Sequence, residues 1–129
     1  MGTLSPPRPD LNAHERALRL PASEVVQELT DVIGRKLTAY IGGVKDVRAV
    51  DRWIGGSDMY GEAEQRLRFA FQVVGTLREH DSAKVVQAWL TGVNPELGDR
   101  VPLRLLREND IHEVAPAVLR AARAFIAGA

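Results

Sequence analysis

The 129-residue sequence has no cysteine, so it can form no disulfide and offers no thiolate to a metal or a substrate. No apolar run approaches the roughly 18 residues that a membrane-spanning helix needs. An excess of one charge is also missing, because 17 Lys and Arg residues balance 17 Asp and Glu residues. Net charge therefore says nothing about a nucleic-acid partner, and any basic surface must be local. We expect a cytoplasmic protein.

Motifs for catalysis are missing as well. His14, His80 and His112 are too far apart for a local metal motif, and each is expected to be a surface histidine. The pairs Gly42-Gly43 and Gly55-Gly56 lack a phosphate-binding context and are interpreted as helix stops. No G-x-S-x-G sequence is present. We therefore predict a protein that is not an enzyme and that has no cofactor and no metal site.

The first 20 residues are predicted to be an N-terminal tail that is partly disordered. Three prolines lie in the first ten residues, and no apolar segment typical of a signal peptide is present. A short helix over His14–Leu20 is compatible with the sequence, and Pro21 would end it.

Amphipathic segments follow the tail, and no stretch alternates with a period of two, so the sequence predicts an all-α fold. Ser23 is the expected N-cap of the first helix after the tail, and Pro116 should lie in the first turn of the last helix or kink it. The predicted helices run from Ser23 to Gly34, from Arg35 to Ile41, from Val47 to Ile54, from Ala63 to Leu77, from Asp81 or Ser82 through Leu90, from Pro102 to Arg107, and from Asn109 or Asp110 through Ile126. The residues expected to be buried together are Ala63, Leu67, Phe71, Val74, Trp89 and Phe125.

Residues 21–58 fit a helix-turn-helix region, the turn of which lies within residues 37–56. Such a motif needs a small residue where its helices cross, a glycine at the turn and apolar anchors on the second helix. Ala39 and Gly43 satisfy the first two needs, and Val50 and Trp53 would anchor the second helix.

The same region carries the local basic surface that the balanced net charge conceals. The candidate DNA-binding residues are Lys45, Arg48 and Arg52, which follow the turn and the outer face of the second helix. Residues 35–56 hold five basic side chains (Arg35, Lys36, Lys45, Arg48, Arg52) and two acidic ones (Asp46, Asp51). The alternative is an ordinary helical hairpin with a solvated basic face.

The segment of residues 89–106, WLTGVNPELGDRVPLRLL, is named here the signature segment. Asn94 can cap loop backbone, Gly98 permits a turn with positive φ, and Pro102 suits the first position of a helix. Leu105 and Leu106 would then reach back towards the tryptophan at position 89. These residues are expected mainly to hold the loop and the core together.

The signature segment closely resembles that of the Xre/MbcA/ParS toxin-binding domain, in its Trp-Leu pair, its Asn, its Leu-Gly and its Pro-x-x-Leu-Leu. The likeness extends over about Glu62 to Gly128, so residues 59–129 are interpreted as such a domain, packed on a core shared with the helix-turn-helix region. The region before it is similar to the helix-turn-helix that often precedes this domain.

The resemblance implies an antitoxin that binds a RES-domain toxin, an enzyme that consumes NAD, and that also binds its own promoter DNA. Carried over to this chain, the toxin-binding surface would comprise Arg120, Arg123 and the tail that includes Phe125, Ile126 and Ala129. A homodimer is expected, because helix-turn-helix proteins usually read two half-sites. The alternative is a stand-alone transcriptional regulator whose C-terminal domain mediates dimerisation.

Overall fold

The computed structural model describes residues 9–128, and within this range the chain is helical, with no β-strand. The α-helices are α1 (Pro9–Arg19), α2 (Ala22–Ile33), α3 (Arg35–Gly42), α4 (Arg48–Ile54), α5 (Gly61–Arg78), α6 (Ala83–Thr91), α7 (Pro102–Glu108) and α8 (Ile111–Ile126), and a 3-10 turn covers Pro95–Leu97. The all-α prediction is confirmed. None of the helices in the described range combines the length and the apolar character needed to cross a bilayer.

The longest helix, α5, is the centre of the fold and contacts α1, α2, α3, α6, α7 and α8. Leu67, Val73 and Leu77 of this helix are fully buried in the main core. The same core includes Val50 of α4 and Leu106 of α7, so the region before α5 and the region after it share one apolar interior. Each large side chain buried here stabilises the fold by about 1.5–3 kcal/mol.

The N-terminal region departs from the predicted tail, because residues 9–19 form a helix packed on α5. Ala13 and Ala17 are buried, and the Ala13 methyl group lies close to Gly75, so small residues bring the two helices together. Arg68 of α5 donates hydrogen bonds to the carbonyls of Ala17 and Leu20 at 2.7 and 2.9 Å. The helix begins before the predicted His14. The earlier start was missed because the buried face of this helix consists of alanines rather than of large apolar residues.

Ser82, Asp110 and Pro102 have their predicted places at helix starts, whereas Ser23 and Pro116 do not. Ser82 and Asp110 accept hydrogen bonds from backbone N–H groups at the starts of α6 and α8, and Pro102 opens α7. Ser23 is not an N-cap, because α2 begins one residue earlier and Pro21 occupies the cap position without a side-chain hydrogen bond. Pro116 is the sixth residue of α8, so of its two predicted alternatives the first-turn position is wrong and the proline lies inside the helix.

The predicted core is correct for Leu67, Val74 and Trp89, which lie in the main core. Phe71 is buried apart from them, in a small second cluster that exists because α1 covers this side of α5. Ala63 is only half-buried. Phe125 is 39% exposed, so its assignment to the core is wrong. It lies in the last turn of α8, where it lines a surface groove instead.

Candidate nucleic-acid interface and C-terminal surface

Two short helices joined by a glycine turn stand where the sequence predicts them. Ala39 is buried in α3, and Gly43, just past the end of that helix, has φ +79°. The Gly43 N–H donates to the Tyr40 carbonyl and the Val44 N–H to the Ala39 carbonyl, each at 3.1 Å. This pair of bonds is a Schellman motif, which satisfies helix carbonyls that would otherwise lack a partner.

Helix α4 is anchored by the two residues predicted for that role. Val50 is fully buried, and Trp53 is half-buried against the main core. A methyl group at Gly42 would lie 3.0 Å from the Trp53 ring. Gly42 therefore permits the close approach of α3 and α4, whereas the sequence pattern indicated only a helix stop at this position.

The candidate DNA-binding residues Lys45, Arg48 and Arg52 are all exposed. Arg48 is engaged locally, since its Nε and Nη2 lie 2.9 and 2.8 Å from the carboxylate of Asp46. The backbone N–H of Arg48 donates to the same carboxylate at 2.8 Å. These hydrogen bonds hold the pKa of Asp46 below its ordinary value and raise the pKa of Arg48. Asp46 therefore neutralises part of the positive charge at this turn.

The other basic side chains of residues 35–56 are likewise either paired with a carboxylate or without such a partner among the described residues. Arg35 forms an ion pair with Asp51, and both side chains are about half exposed. In the part of the chain that the structure describes, Lys36, Lys45 and Arg52 make no hydrogen bond or ion pair through their side chains. We define the basic surface as Lys45, Arg48 and Arg52. Its members without a hydrogen bond or ion pair within residues 9–128, called uncommitted here, are Lys45 and Arg52, and the charge of Arg52 also lowers the pKa of Asp46.

Two arginines that sequence reasoning missed contact the C-terminal end of α3 from other helices. Arg66 of α5 donates from Nε to the Ile41 carbonyl at 2.8 Å and from Nη2 to the Gly42 carbonyl at 3.1 Å. Arg107 of α7 donates to the Tyr40 carbonyl at 2.9 Å. Its guanidinium also lies 4.6 Å from the centre of the Tyr40 ring. The contacts join residues 24 to 67 positions apart, so no local sequence signal could have indicated them.

The signature segment has the local geometry that its residues imply. Asn94 is buried, and its side-chain oxygen accepts the Glu96 N–H at 2.9 Å. Gly98 has φ +64°. Leu105 and Leu106 are buried in the same core as Trp89, so their structural role is confirmed.

Beside the signature segment lies an apolar groove of about 610 Å³, named here the C-terminal groove. It contains exposed apolar side chains, of which Val93 and Phe125 are the most prominent. The indole Nε1 of Trp89 is buried and has no hydrogen-bond partner among the described residues. The lining residues are Val85, Ala88, Trp89, Gly92, Val93, Asn94, Pro95, Glu96, Ala121 and Phe125.

The predicted toxin-binding residues are only partly brought together. Arg120 and Arg123 are exposed on α8, and Phe125 lines the C-terminal groove. Ile126 instead packs, half-buried, against the main core, because it lies on the inward face of α8. Ala129 lies outside the described residues. Among the described residues, the apolar part of the candidate surface is thus Phe125 with the neighbouring groove.

His14, His80 and His112 are exposed, as expected of surface histidines. Among residues 9–128 no three His, Cys, Asp or Glu side chains are grouped so that they could hold a metal ion. Comparison of the chain with protein-family models, with curated proteins and with solved structures finds no match. The resemblance to the Xre/MbcA/ParS domain therefore rests on the residues of the signature segment. The two surfaces of the structure that bear on function are the basic surface, defined above, and the C-terminal groove.

Proposed function

We propose that this chain is an antitoxin of a type II toxin–antitoxin system that contacts double-stranded DNA through α3 and α4 and binds a RES-domain, NAD-consuming toxin through its C-terminal surface. It acts by occupying surfaces, as a cytoplasmic homodimer, and uses no chemistry of its own. The observation that carries the proposal is the basic surface, where Lys45 and Arg52 stand exposed and uncommitted beside the glycine turn.

The DNA half of the proposal follows from the charges on this surface. Lys and Arg side chains that neutralise phosphates release counterions, which supplies much of the affinity for DNA. Lys45 and Arg52 are available for this role, whereas Arg48 would first have to leave Asp46. We therefore assign the larger share of DNA affinity to Lys45 and Arg52.

The toxin half rests on the resemblance and on the chemistry of the C-terminal surface. Protein interfaces are enriched in aromatic residues and arginine relative to the rest of the surface. Here an exposed phenylalanine at position 125 lines an apolar groove, and Arg120 is exposed five residues earlier on the same helix, outside the groove lining. The groove suits a partner with an apolar protrusion.

The DNA half is tested with the double variant Lys45→Ala/Arg52→Ala. We expect DNA affinity to fall and the slope of log K against log salt to decrease by about 0.9 for each phosphate that the protein no longer neutralises. The matched control is Lys84→Ala/Arg120→Ala, which removes two exposed cations from the C-terminal region. Failure of the unmodified protein to bind either its upstream DNA or a random duplex at low salt would reject DNA binding.

The toxin half is tested by co-expression with the products of the neighbouring genes, among which it predicts a RES-domain protein. Phe125→Asp should abolish co-purification and release toxicity, yet leave the unfolding midpoint nearly unchanged because the side chain is partly exposed. Lys45→Ala/Arg52→Ala serves as the control that should still neutralise the toxin. If the protein binds DNA but no such neighbour, the stand-alone regulator replaces the antitoxin as its function.

A further inference from the structure

We infer that Arg66 and Arg107 are positioning residues for the basic surface: they fix the end of α3, residues 40–42, and with it the start of the α3–α4 turn, residues 43–47, to α5 and α7. The turn carries Lys45 and leads directly into Arg48. The consequence for DNA affinity rests on the proposed function, whereas the fixing of the turn is a property of the structure and can be measured without DNA.

The physical basis is the electrostatics of a helix C-terminus. The last carbonyls of a helix lack intrahelical partners and carry the negative end of the helix dipole, so cations there are stabilising. The Schellman bonds satisfy Ala39 and Tyr40, and Arg66 satisfies the two carbonyls that remain, those of Ile41 and Gly42. Arg107 adds a second cation at the Tyr40 carbonyl.

The burial of Arg66 shows which of its contacts matter. Its side chain is only 15% exposed, whereas that of Glu62, its ion-pair partner at 3.3 Å, is 87% exposed. An ion pair with so exposed a partner contributes little, because water screens it. The hydrogen bonds to the α3 carbonyls therefore hold this guanidinium in place.

Gly43 completes the arrangement. A methyl group at this position would lie 2.7 Å from Nη2 of Arg66. The absence of a side chain thus serves two needs, the positive φ of the turn and the space for the guanidinium. A side chain at position 43 would therefore require the Arg66 guanidinium to move.

The two arginines also connect the basic surface to the rest of the molecule. Arg66 lies on α5 and Arg107 on α7, which packs against α3, α6 and α8. A partner that displaces α7 on binding the C-terminal surface would therefore change the position of the turn. By linkage, DNA would then alter the affinity for that partner by the same factor.

The first arm of the test measures amide hydrogen exchange by NMR in Arg66→Met and Arg107→Met. Methionine fills similar space but offers no donor. Exchange at the Gly43 and Val44 amides should become about tenfold faster, as expected when hydrogen bonds from a charged group are removed. The Gly34 amide, bonded to Thr30 at the end of α2, should keep its rate. The matched control is Arg104→Met, which removes an exposed arginine from the same helix as Arg107.

The second arm measures DNA affinity in Arg66→Lys and Arg107→Lys, with Arg104→Lys as control. Lysine keeps the charge but not the planar fork that reaches two carbonyls. A positioning role predicts an affinity several-fold lower with an unchanged salt slope, since the number of charges stays the same.

The outcomes are separable. Unchanged exchange at Gly43 and Val44 in the methionine variants overturns the inference, whatever happens to DNA affinity. Faster exchange together with no DNA binding by the unmodified protein rejects the proposed DNA function and leaves the fixed turn intact. Faster exchange with an unchanged DNA affinity in the lysine variants overturns the positioning role for the basic surface. Should Arg66→Met fail to fold, Arg107→Met decides the matter alone.

Discussion

Two glycine-containing connections in this molecule are held by different means. The α3–α4 turn, residues 43–47, has local Schellman bonds and, next to it, hydrogen bonds from the distant Arg66 and Arg107 to the end of α3. The hydrogen bonds of the α6–α7 loop, residues 92–101, are formed mainly among its own groups, while Leu97 packs in the main core and the 3-10 turn packs on α8. Both contain a glycine with positive φ, Gly43 and Gly98, so backbone conformation alone does not distinguish them.

The α6–α7 loop closes on itself through short-range hydrogen bonds. The Asn94 N–H donates to the Arg100 carbonyl at 3.0 Å, and the Asp99 N–H donates to the Asn94 carbonyl at 2.9 Å. Arg100 also donates from Nε to the Leu97 carbonyl at 2.8 Å. The hydrogen bonds of this loop do not depend on distant helices, whereas those that Arg66 and Arg107 donate beside the α3–α4 turn do. The connection beside the basic surface is thus the one that tertiary changes can reach.

The largest difference between the two connections is expected from alanine at their glycines. Gly43→Ala should lower the free energy of unfolding by about 3 kcal/mol, because positive φ costs an L-residue about 1–2 kcal/mol and the methyl group displaces Arg66. Gly98→Ala should cost only about 1 kcal/mol, because nothing lies near its added methyl group. Urea denaturation of both variants measures the difference. Equal destabilisation would mean that strain in the backbone, and not the fit of Arg66, decides the cost at Gly43.

A smaller and purely local effect is expected from Asn94→Ala. The substitution removes the buried oxygen that accepts the Glu96 N–H, so the free energy of unfolding should fall by about 1–2 kcal/mol. Amide exchange at Glu96 should accelerate, while exchange at Gly43 and Val44 should stay unchanged. Ser82→Ala, at the exposed cap of α6, is the control for removal of a cap elsewhere. A change at Gly43 in the Asn94 variant would show that the two connections are coupled after all.

The same contrast explains how much the sequence could predict. Asn94, Gly98 and Pro102 act through neighbours a few residues away, and their roles follow from their chemistry and spacing. The sequence also predicted the role of the glycine at position 43 in the turn, because that role depends on local spacing. Arg66 and Arg107 could not be found, because their partners lie on α3 and become neighbours only when the chain has folded.

Two further differences have an equally physical origin. The helix over residues 9–19 was expected to be mostly tail because three prolines lie in the first ten residues, and its contact with α5 uses the small residues Ala13 and Ala17 while Leu11 and Leu18 are exposed. Phe125 was expected in the core because it has the same period as the buried residues of α8, but at this end of the helix Ile126 packs against the core and Phe125 lines the C-terminal groove. Periodicity did not decide which of these two neighbours faces the interior.

The smallest effect concerns the charge of Asp46 within the α3–α4 turn. In Asp46→Asn the amide oxygen can still accept the Arg48 N–H, so the substitution chiefly removes the carboxylate charge. The pKa of Asp46 lies below its ordinary value of 3.8, so its stabilising contribution is fully present above that pH and is lost as the pH falls through the lowered pKa. The unmodified protein should therefore be slightly more stable than the variant at neutral pH, and the two should converge below pH 3.8.

DNA affinity should change in the opposite direction. Without the carboxylate, Arg48 is free to contact phosphate, so affinity should rise and the salt slope should steepen by up to about 0.9. Asp99→Asn is the matched control, because it removes a carboxylate from the α6–α7 loop at a positive φ that asparagine tolerates. The salt slope should not move in that variant. If Asp46→Asn leaves the salt slope unchanged, Arg48 does not reach DNA even when released. The contacts of the basic surface then come from Lys45 and Arg52 alone.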